Sequence, residues 1–276
     1  MRHDLTKENF LVRKFYIFMF LLMMALIGCQ LQIRPSDELQ KQEDAVLDRY
    51  DRVESLYLTM ADFAALRQMR TEYPLQTRTL IEHVLQLGPV NDPDINNRLL
   101  LYFQDSTLQA IINDVAHQYE NTDVLEKQLA DAFHRLAAML PGLKIPHFYT
   151  QIGSLDQSIV VSDTLVGISL DKYLGEDYPA YLRYGYTPQQ RRMMTSEYIV
   201  PDCLGFYLIS LYPLPEEEDT LFETRRWYMA KIQTVVNKVM DRHVFTNDSI
   251  LQLEKFLAAH PNFPTEQFLR LDSLPQ

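Results

Sequence analysis

Apolar positions recur at helical spacing through most of the first half of the chain. Phe63, Leu66, Met69 and Tyr73 share one face, and Leu80, Ile81, Val84, Leu85 and Leu87 form a second stripe that Gly88-Pro89 stops. Asn91-Asp92-Pro93-Asp94 reads as a turn, and residues 95–103 and 108–119 predict two more short helices. Thr122 is placed to cap a longer helix in which Leu125, Leu129, Phe133, Leu136, Ala137 and Leu140 lie on one side, ended by Pro141-Gly142. Residues 45–58 alternate only in part and suit either a strand or a short helix.

The period then changes. Residues 145–152, 159–161 and 165–170 are short, rich in β-formers and separated by Gly153 and Ser162-Asp163, so they predict a small sheet or meander. Past Tyr186, Thr187, Pro188 and Gln190 supply a capping box with proline at the first helical position. A second helix start is expected at Thr195 or Ser196, with Pro201 kinking the helix in its second turn. Pro215 and the acids from Glu216 to Asp219 predict the start of a helix carrying Leu221, Phe222, Trp227, Ile232, Val235, Val236 and Val239, and 249–259 predict one more. The fold class is therefore α+β, mostly helical. It has an N-terminal helical layer, a small central β-sheet and C-terminal helices, within one globular domain over 44–276.

Composition narrows the partners. The formal net charge is -11. Without residues 1–28 the count is 22 basic against 35 acidic, a net of -13. Such a surface repels phosphate backbones, which excludes nucleic acid as a partner. Arg2, Lys7, Arg13 and Lys14 precede an apolar run from Phe15 to Ile27, a length suited to a signal-peptide core and short for a membrane span. The run ends Leu26-Ile27-Gly28-Cys29, which resembles a bacterial lipobox. Residues 1–28 are then a lipoprotein signal peptide, Cys29 takes the acyl chains (palmitate or similar), and 29–43 form a tether. An uncleaved anchor and an ordinary signal peptide are the alternatives. Several acyl chains at ~0.8 kcal/mol per buried methylene would hold the protein on the membrane for good. Gln30 after the cysteine favours the outer membrane over the inner. With Cys29 acylated, Cys203 is left without a disulfide partner and reads as a buried, inert thiol among Leu204, Phe206 and Tyr207.

Several segments occur in a familiar order: Arg49-Tyr50-Asp51 with Leu56, Leu140-Pro141, Ile145-Pro146-His147-Phe148-Tyr149-Thr150, Gly167 to Gly175, and Arg191-Arg192-Met193-Met194 through Ile199-Val200-Pro201-Asp202. Together with the lipobox they resemble the gliding-motility-associated lipoprotein family (GldB-like) of Bacteroidetes, across nearly all of the mature chain. The resemblance implies an envelope lipoprotein associated with gliding or with a secretion apparatus, and it brings no catalytic residues.

The densest chemistry lies between Ile159 and Leu211. A strand pair followed by a helix with a glutamate is how zinc peptidases present His-Glu-x-x-His, and here the comparable segment is Ser196-Glu197-Tyr198-Ile199-Val200. Serine and valine cannot hold a catalytic zinc, so a zincin-like arrangement would be degenerate; no metal or other cofactor is expected. Asp171, Glu176, Asp177, Glu197 and Asp202, with Lys172, Arg183, Arg191 and Arg192, could do acid–base work or form an ion-pair cluster that positions a loop. In the second case Asp171 caps its own turn, and Asp202 satisfies amides freed by the Pro201 kink. Five tyrosines between 173 and 186 suit either a partner surface or packing on the sheet. His147 reads as a strand residue and Trp227 as core.

The reading that follows is a non-enzymatic, lipid-anchored envelope protein that binds another envelope protein through Tyr173, Tyr178, Tyr181, Arg183, Tyr184, Arg191 and Arg192. Two alternatives remain: a hydrolase-like domain using Glu197 and Asp202, and a cell-wall binding module. An interaction protein should expose its tyrosines and arginines. An enzyme should bury Glu197 in a cleft beside a second acid or a histidine.

Overall fold

A short parallel strand, not a helix, opens the described structure. The computed structural model describes residues 47–214 and 222–273, all within one compact unit, Asp44–Gln276. The expected signal peptide 1–28, Cys29, the expected tether 29–43 and the expected helix start at Pro215 and Glu216–Asp219 lie outside the described residues. Strand β1 (Leu47–Asp48) is followed at once by helix α1 (Tyr50–Met60), so the ambiguous segment 45–58 is both things in succession. The helical layer continues with α2 (Phe63–Thr71), α3 (Pro74–Arg78) running into a π turn (Thr79–Val84), α4 (Ile95–Tyr102), α5 (Ser106–Gln118) and α6 (Asp123–Met139).

Local chemistry explains these starts. Asp62 accepts the Ala64 amide at 2.7 Å to cap α2, and Asp105 accepts the Thr107 amide at 2.8 Å to cap α5. Thr122 sits at the cap position of α6 as expected, but its hydroxyl makes no cap bond. It accepts instead from Arg49 Nη1 at 3.2 Å, because that guanidinium spans the α5–α6 corner: Nη2 also donates to the Tyr119 carbonyl at 2.8 Å. Arg49 grips Asp51 as well, through Nε at 2.9 Å and Nη2 at 2.8 Å.

The sheet comprises β1, β2 (His147–Gln151), β3 (Ile159–Val161) and β4 (Leu165–Ser169) in the order β1-β2-β4-β3. β1 runs parallel to β2 (Leu47 opposite Phe148) and β2 parallel to β4 (Tyr149 opposite Gly167); only β3 is antiparallel, to β4. Of the two expectations, a small sheet or a meander, the small sheet is what forms, and it is mixed. A tight turn at Ser162-Asp163-Thr164 pairs β3 with β4, while β2 reaches the other side of β4 across the loop 152–158. The whole helical layer α1–α6 is the crossover that parallel β1–β2 pairing requires.

β2 is buried from Phe148 to Gln151. Phe133 of α6 meets Phe148 edge-on at 4.8 Å and Tyr207 at 5.5 Å, while Tyr50 of α1 packs against Tyr149 at 6.2 Å. Tyr149 in turn lies over Gly167: a Cβ there would sit 2.4 Å from the ring carbon Cζ, so the register depends on glycine at that position.

After β4 come a 3-10 turn (Leu170–Lys172), α7 (Pro179–Arg183), α8 (Pro188–Arg192), a second 3-10 turn (Ser196–Tyr198), α9 (Ile199–Leu211), α10 (Phe222–Met240), α11 (Asp248–Ala259) and α12 (Thr265–Leu269). The Thr187–Gln190 capping box forms as predicted. Pro201 does not kink a second turn. α9 begins at Ile199, so Pro201 falls in the first turn, where a missing N–H costs no hydrogen bond. Tyr207 donates to the Lys144 carbonyl at 2.6 Å and Arg135 Nε to the Val239 carbonyl at 2.7 Å, tying the last helices to α6 and its exit.

Candidate functional site

Beneath the tyrosine-rich segment lies a knot of buried carboxylates. Residues Ser154 and Leu155, just past β2, both adopt left-handed backbone, at φ 57° and 63°. That conformation costs roughly 1–2 kcal/mol per residue for L-amino acids. It turns the backbone amides inward: Gly153 and Leu155 donate to the two oxygens of Asp171 at 2.7 and 2.5 Å, and Ile152 donates to Glu54 Oε2 at 2.9 Å. Glu54 and Asp171 are fully buried. Burial holds Glu54 well above the usual carboxylate range, and the nearby Asp171 and Asp51 charges push it further. Burial raises Asp171 too, against the pull of its amide donors and Lys172. Asp171 bonds its own backbone amide, as a turn-capping residue would, and beyond that it organises the loop after β2.

The other predicted acids separate. Asp202 is partly buried and accepts the Tyr173 hydroxyl at 2.8 Å, a side-chain partner in place of the backbone amides expected. Burial lifts it to about 7 in spite of that bond and of Lys172. Cys203 beside it is buried and free, its thiol pushed up by desolvation. Glu197 is exposed on the second 3-10 turn. Since Ser196 and Glu197 precede the α-helix that holds Val200, the segment does not present positions 196 and 200 as a pair on one continuous helix face.

The predicted binding residues divide in two. Tyr173 and Tyr181 are 1% and 0% exposed and serve as framework, which removes them from the proposed contact surface. Tyr181 donates to the Asp171 carbonyl at 2.6 Å and accepts the Leu174 amide at 2.8 Å, filling the space under the loop. Tyr178 donates to Asp114 at 2.7 Å and Tyr186 to the Leu155 carbonyl at 2.7 Å, and both rings meet Tyr181 edge-on at 5.1 and 5.8 Å. Lys172 covers the Tyr186 ring at 4.5 Å. Arg191 is mostly buried and donates to the Glu176 carbonyl at 2.9 Å, so it too closes the loop from inside. A bond from the Gly175 amide to the Met194 carbonyl at 3.0 Å shuts the two ends.

What this leaves outside is short. Tyr184 is 54% exposed, and Leu182, which sequence reasoning missed, is 55% exposed; Met193 and Arg192 stand out from the same closed loop. Arg183 is exposed and donates to Thr107 at 2.9 Å. The signal that could have found Leu182 is helical spacing on α7: with Ala180 and Tyr181 both turned inward, the next position comes round to the outer side.

An open cleft of about 620 Å³ lies elsewhere, where α6 faces the second 3-10 turn and the exit of α10. Glu197, Asp131, Arg135 and Arg242 line it. His147 opens β2 and is exposed, and Trp227 is half-buried against the core. Among the described residues no group of three or more histidine, cysteine, aspartate or glutamate side chains is placed to hold a metal ion. No helix among them is long and apolar enough to cross a membrane.

The profile of the gliding motility protein GldB family matches residues 35–249 of this chain. Comparison with curated proteins and with solved structures finds no match.

Proposed function

The chain belongs to the gliding motility protein GldB family, and on that premise we propose that it is a non-enzymatic, lipid-anchored docking protein of the cell envelope. The family places it among envelope-associated lipoproteins of gliding motility. The finer reading is that Cys29 carries the lipid, that the outer membrane is the host, and that an envelope protein docks on the closed loop Gly175–Met194.

The observation that carries the docking reading is the way this loop is built. Tyr181 and Arg191 are spent inside, holding a loop on which Leu182 and Tyr184 are each more than half exposed and which also carries Arg183, Arg192 and Met193. A pre-ordered aromatic and arginine surface lowers the ordering cost of association. The hydrolase alternative gains less support. Glu197 stands exposed on a cleft rim, and Asp202 is directed to Tyr173 and not to Glu197.

A photo-crosslinking amino acid at position 184, in the lipidated chain in its own envelope, tests this. A discrete adduct at 184 that is absent at the equally exposed position 101, and lost with Leu182→Ala and Arg192→Ala, is the expected result. Equal labelling at 184 and 101, or a discrete adduct indifferent to those substitutions, would refute the docking surface.

A further inference from the structure

We propose that the cleft between α6 and the start of α9 binds a short, extended peptide carrying one acidic and one basic side chain. This site is separate from the docking loop, so either can fail without the other.

The shape of the cleft comes from helix periodicity. Val124, Gln128, Asp131 and Arg135 follow one another at intervals of four, three and four residues, which sets them in a single row along α6. Eleven residues of helix at ~1.5 Å each make that row about 16 Å long. An extended chain rises ~3.3 Å per residue, so the row matches about five residues of peptide. The volume of about 620 Å³ falls within the ordinary range for ligand sites.

The lining is mixed in a way that suits a peptide. Leu125, Ile199 and Val200 are buried and give an apolar floor for side chains. The Gln128 amide offers a donor and an acceptor, as a peptide backbone needs, while the Asn121 amide is held by Asp123 at 2.8 and 3.0 Å. Charges of both signs stand along the cleft: Asp131 and Arg135 on α6, Glu197 and Arg242 across from them. Both arginines are already oriented by a backbone carbonyl. Arg135 Nε donates to the Val239 carbonyl at 2.7 Å, and Arg242 Nη2 donates to the Glu197 carbonyl at 3.2 Å. Each guanidinium has five N–H donors, so the rest of the fork remains for a carboxylate. Glu197 supplies the counterpart for a lysine or arginine, joined by Asp131, whose Oδ2 is bonded to Lys127 at 2.6 Å and whose second oxygen remains. A glycan would be better served by an exposed aromatic platform, and the aromatic ring lining this cleft, Tyr119, is buried with its hydroxyl given to the Tyr173 carbonyl at 2.6 Å.

The test uses the full-length lipidated chain in detergent micelles, panned against a phage-displayed random pentapeptide library. Enriched sequences should carry an acidic and a basic residue at a fixed separation. Synthesised with a fluorophore, they should bind at least tenfold more weakly to Arg135→Glu and to Asp131→Lys by fluorescence polarisation. The double variant Asp131→Arg/Arg135→Asp should recover binding for peptides whose two charges are exchanged, a result that general loss of structure could not give. No enrichment over micelles bearing Arg135→Glu, or enriched peptides that bind all these variants equally, overturns the proposal.

Discussion

Asp202→Asn is a substitution whose effect can be worked out before it is measured. The carboxylate accepts the Tyr173 hydroxyl at 2.8 Å, and burial raises its pKa from 3.8 to about 7. A folded-state pKa above the unfolded one means that the native chain holds the proton more tightly. The stabilising contribution is therefore whole below the unfolded pKa and is lost as pH rises through the folded one. Between pH 5 and pH 8 the loss accumulates over the two units up to pH 7 and then levels off. At ~1.36 kcal/mol per unit, this carboxyl makes the wild-type chain about 2.7 kcal/mol less stable at pH 8 than at pH 5. Asparagine keeps an oxygen that can accept from Tyr173 and removes the titration. Glu54 and Asp171 titrate in both proteins, so their contributions cancel in the difference. Urea unfolding of both chains in micelles at pH 5, 6, 7 and 8, followed by Trp227 fluorescence, gives that difference directly. The variant should gain on the wild type by about 2–3 kcal/mol across the range, most of it below pH 7. A difference that stays constant with pH would refute the reasoning, and with it the desolvation of Asp202.

Three other perturbations probe the rest of the fold. Tyr181→Phe leaves the Asp171 carbonyl and the Leu174 amide without their partner, at about 1–3 kcal/mol for each buried group; hydrogen exchange over 175–194 should quicken, while Tyr184→Ala, on the exposed side, should leave it unchanged. Equal protection in Tyr181→Phe and wild type would contradict the framework role. Gly167→Ala must push the buried Tyr149 ring aside and should cost about 1–3 kcal/mol, read as a lower urea midpoint at unchanged slope. Lys231→Met removes an ammonium that donates to the Leu269 and Leu271 carbonyls at 2.8 and 2.5 Å, so α12 should become the first site of limited proteolysis, with global unfolding little altered if the last helix opens alone.

The helices were the most legible part of the fold. Stripes such as Leu125-Leu129-Phe133-Leu136 and signals such as Thr187-Pro188-Gln190 are local, and local chemistry decided them. What could not be read was pairing across distance. Nothing within Leu47-Asp48 announces that two residues will lie parallel to Phe148-Tyr149, a hundred residues later. Thr122 had the right type and place for a cap, yet Arg49 took its hydroxyl from the far side of the helical layer. The tyrosines failed in a similar manner. Tyr173, Tyr178, Tyr181, Tyr184 and Tyr186 are alike in sequence, and their fates depend on where Asp171, Asp114 and the carbonyl of Leu155 come to rest. The same holds for the carboxylates. Glu54 was overlooked because its helix face looks ordinary until the Ile152 amide arrives from β2. The α6 row was legible only on its apolar side; nothing in the sequence sets Val124, Gln128, Asp131 and Arg135 apart from an ordinary solvated face.

The corner at Arg49 acquires another meaning once the protein is held by its beginning. With Cys29 as the proposed anchor, any drag on the protein would enter the domain along the chain just before Leu47. The first element it meets, β1, has two residues and few bonds to lose. The next is a single guanidinium that grips Asp51 in α1, the hydroxyl of Thr122 and the carbonyl of Tyr119. Under tension the strand can peel like a tear strip while this rivet spreads the load into three helices. On that geometry Arg49 is the first firm hold that a pull on the domain's beginning would meet after β1.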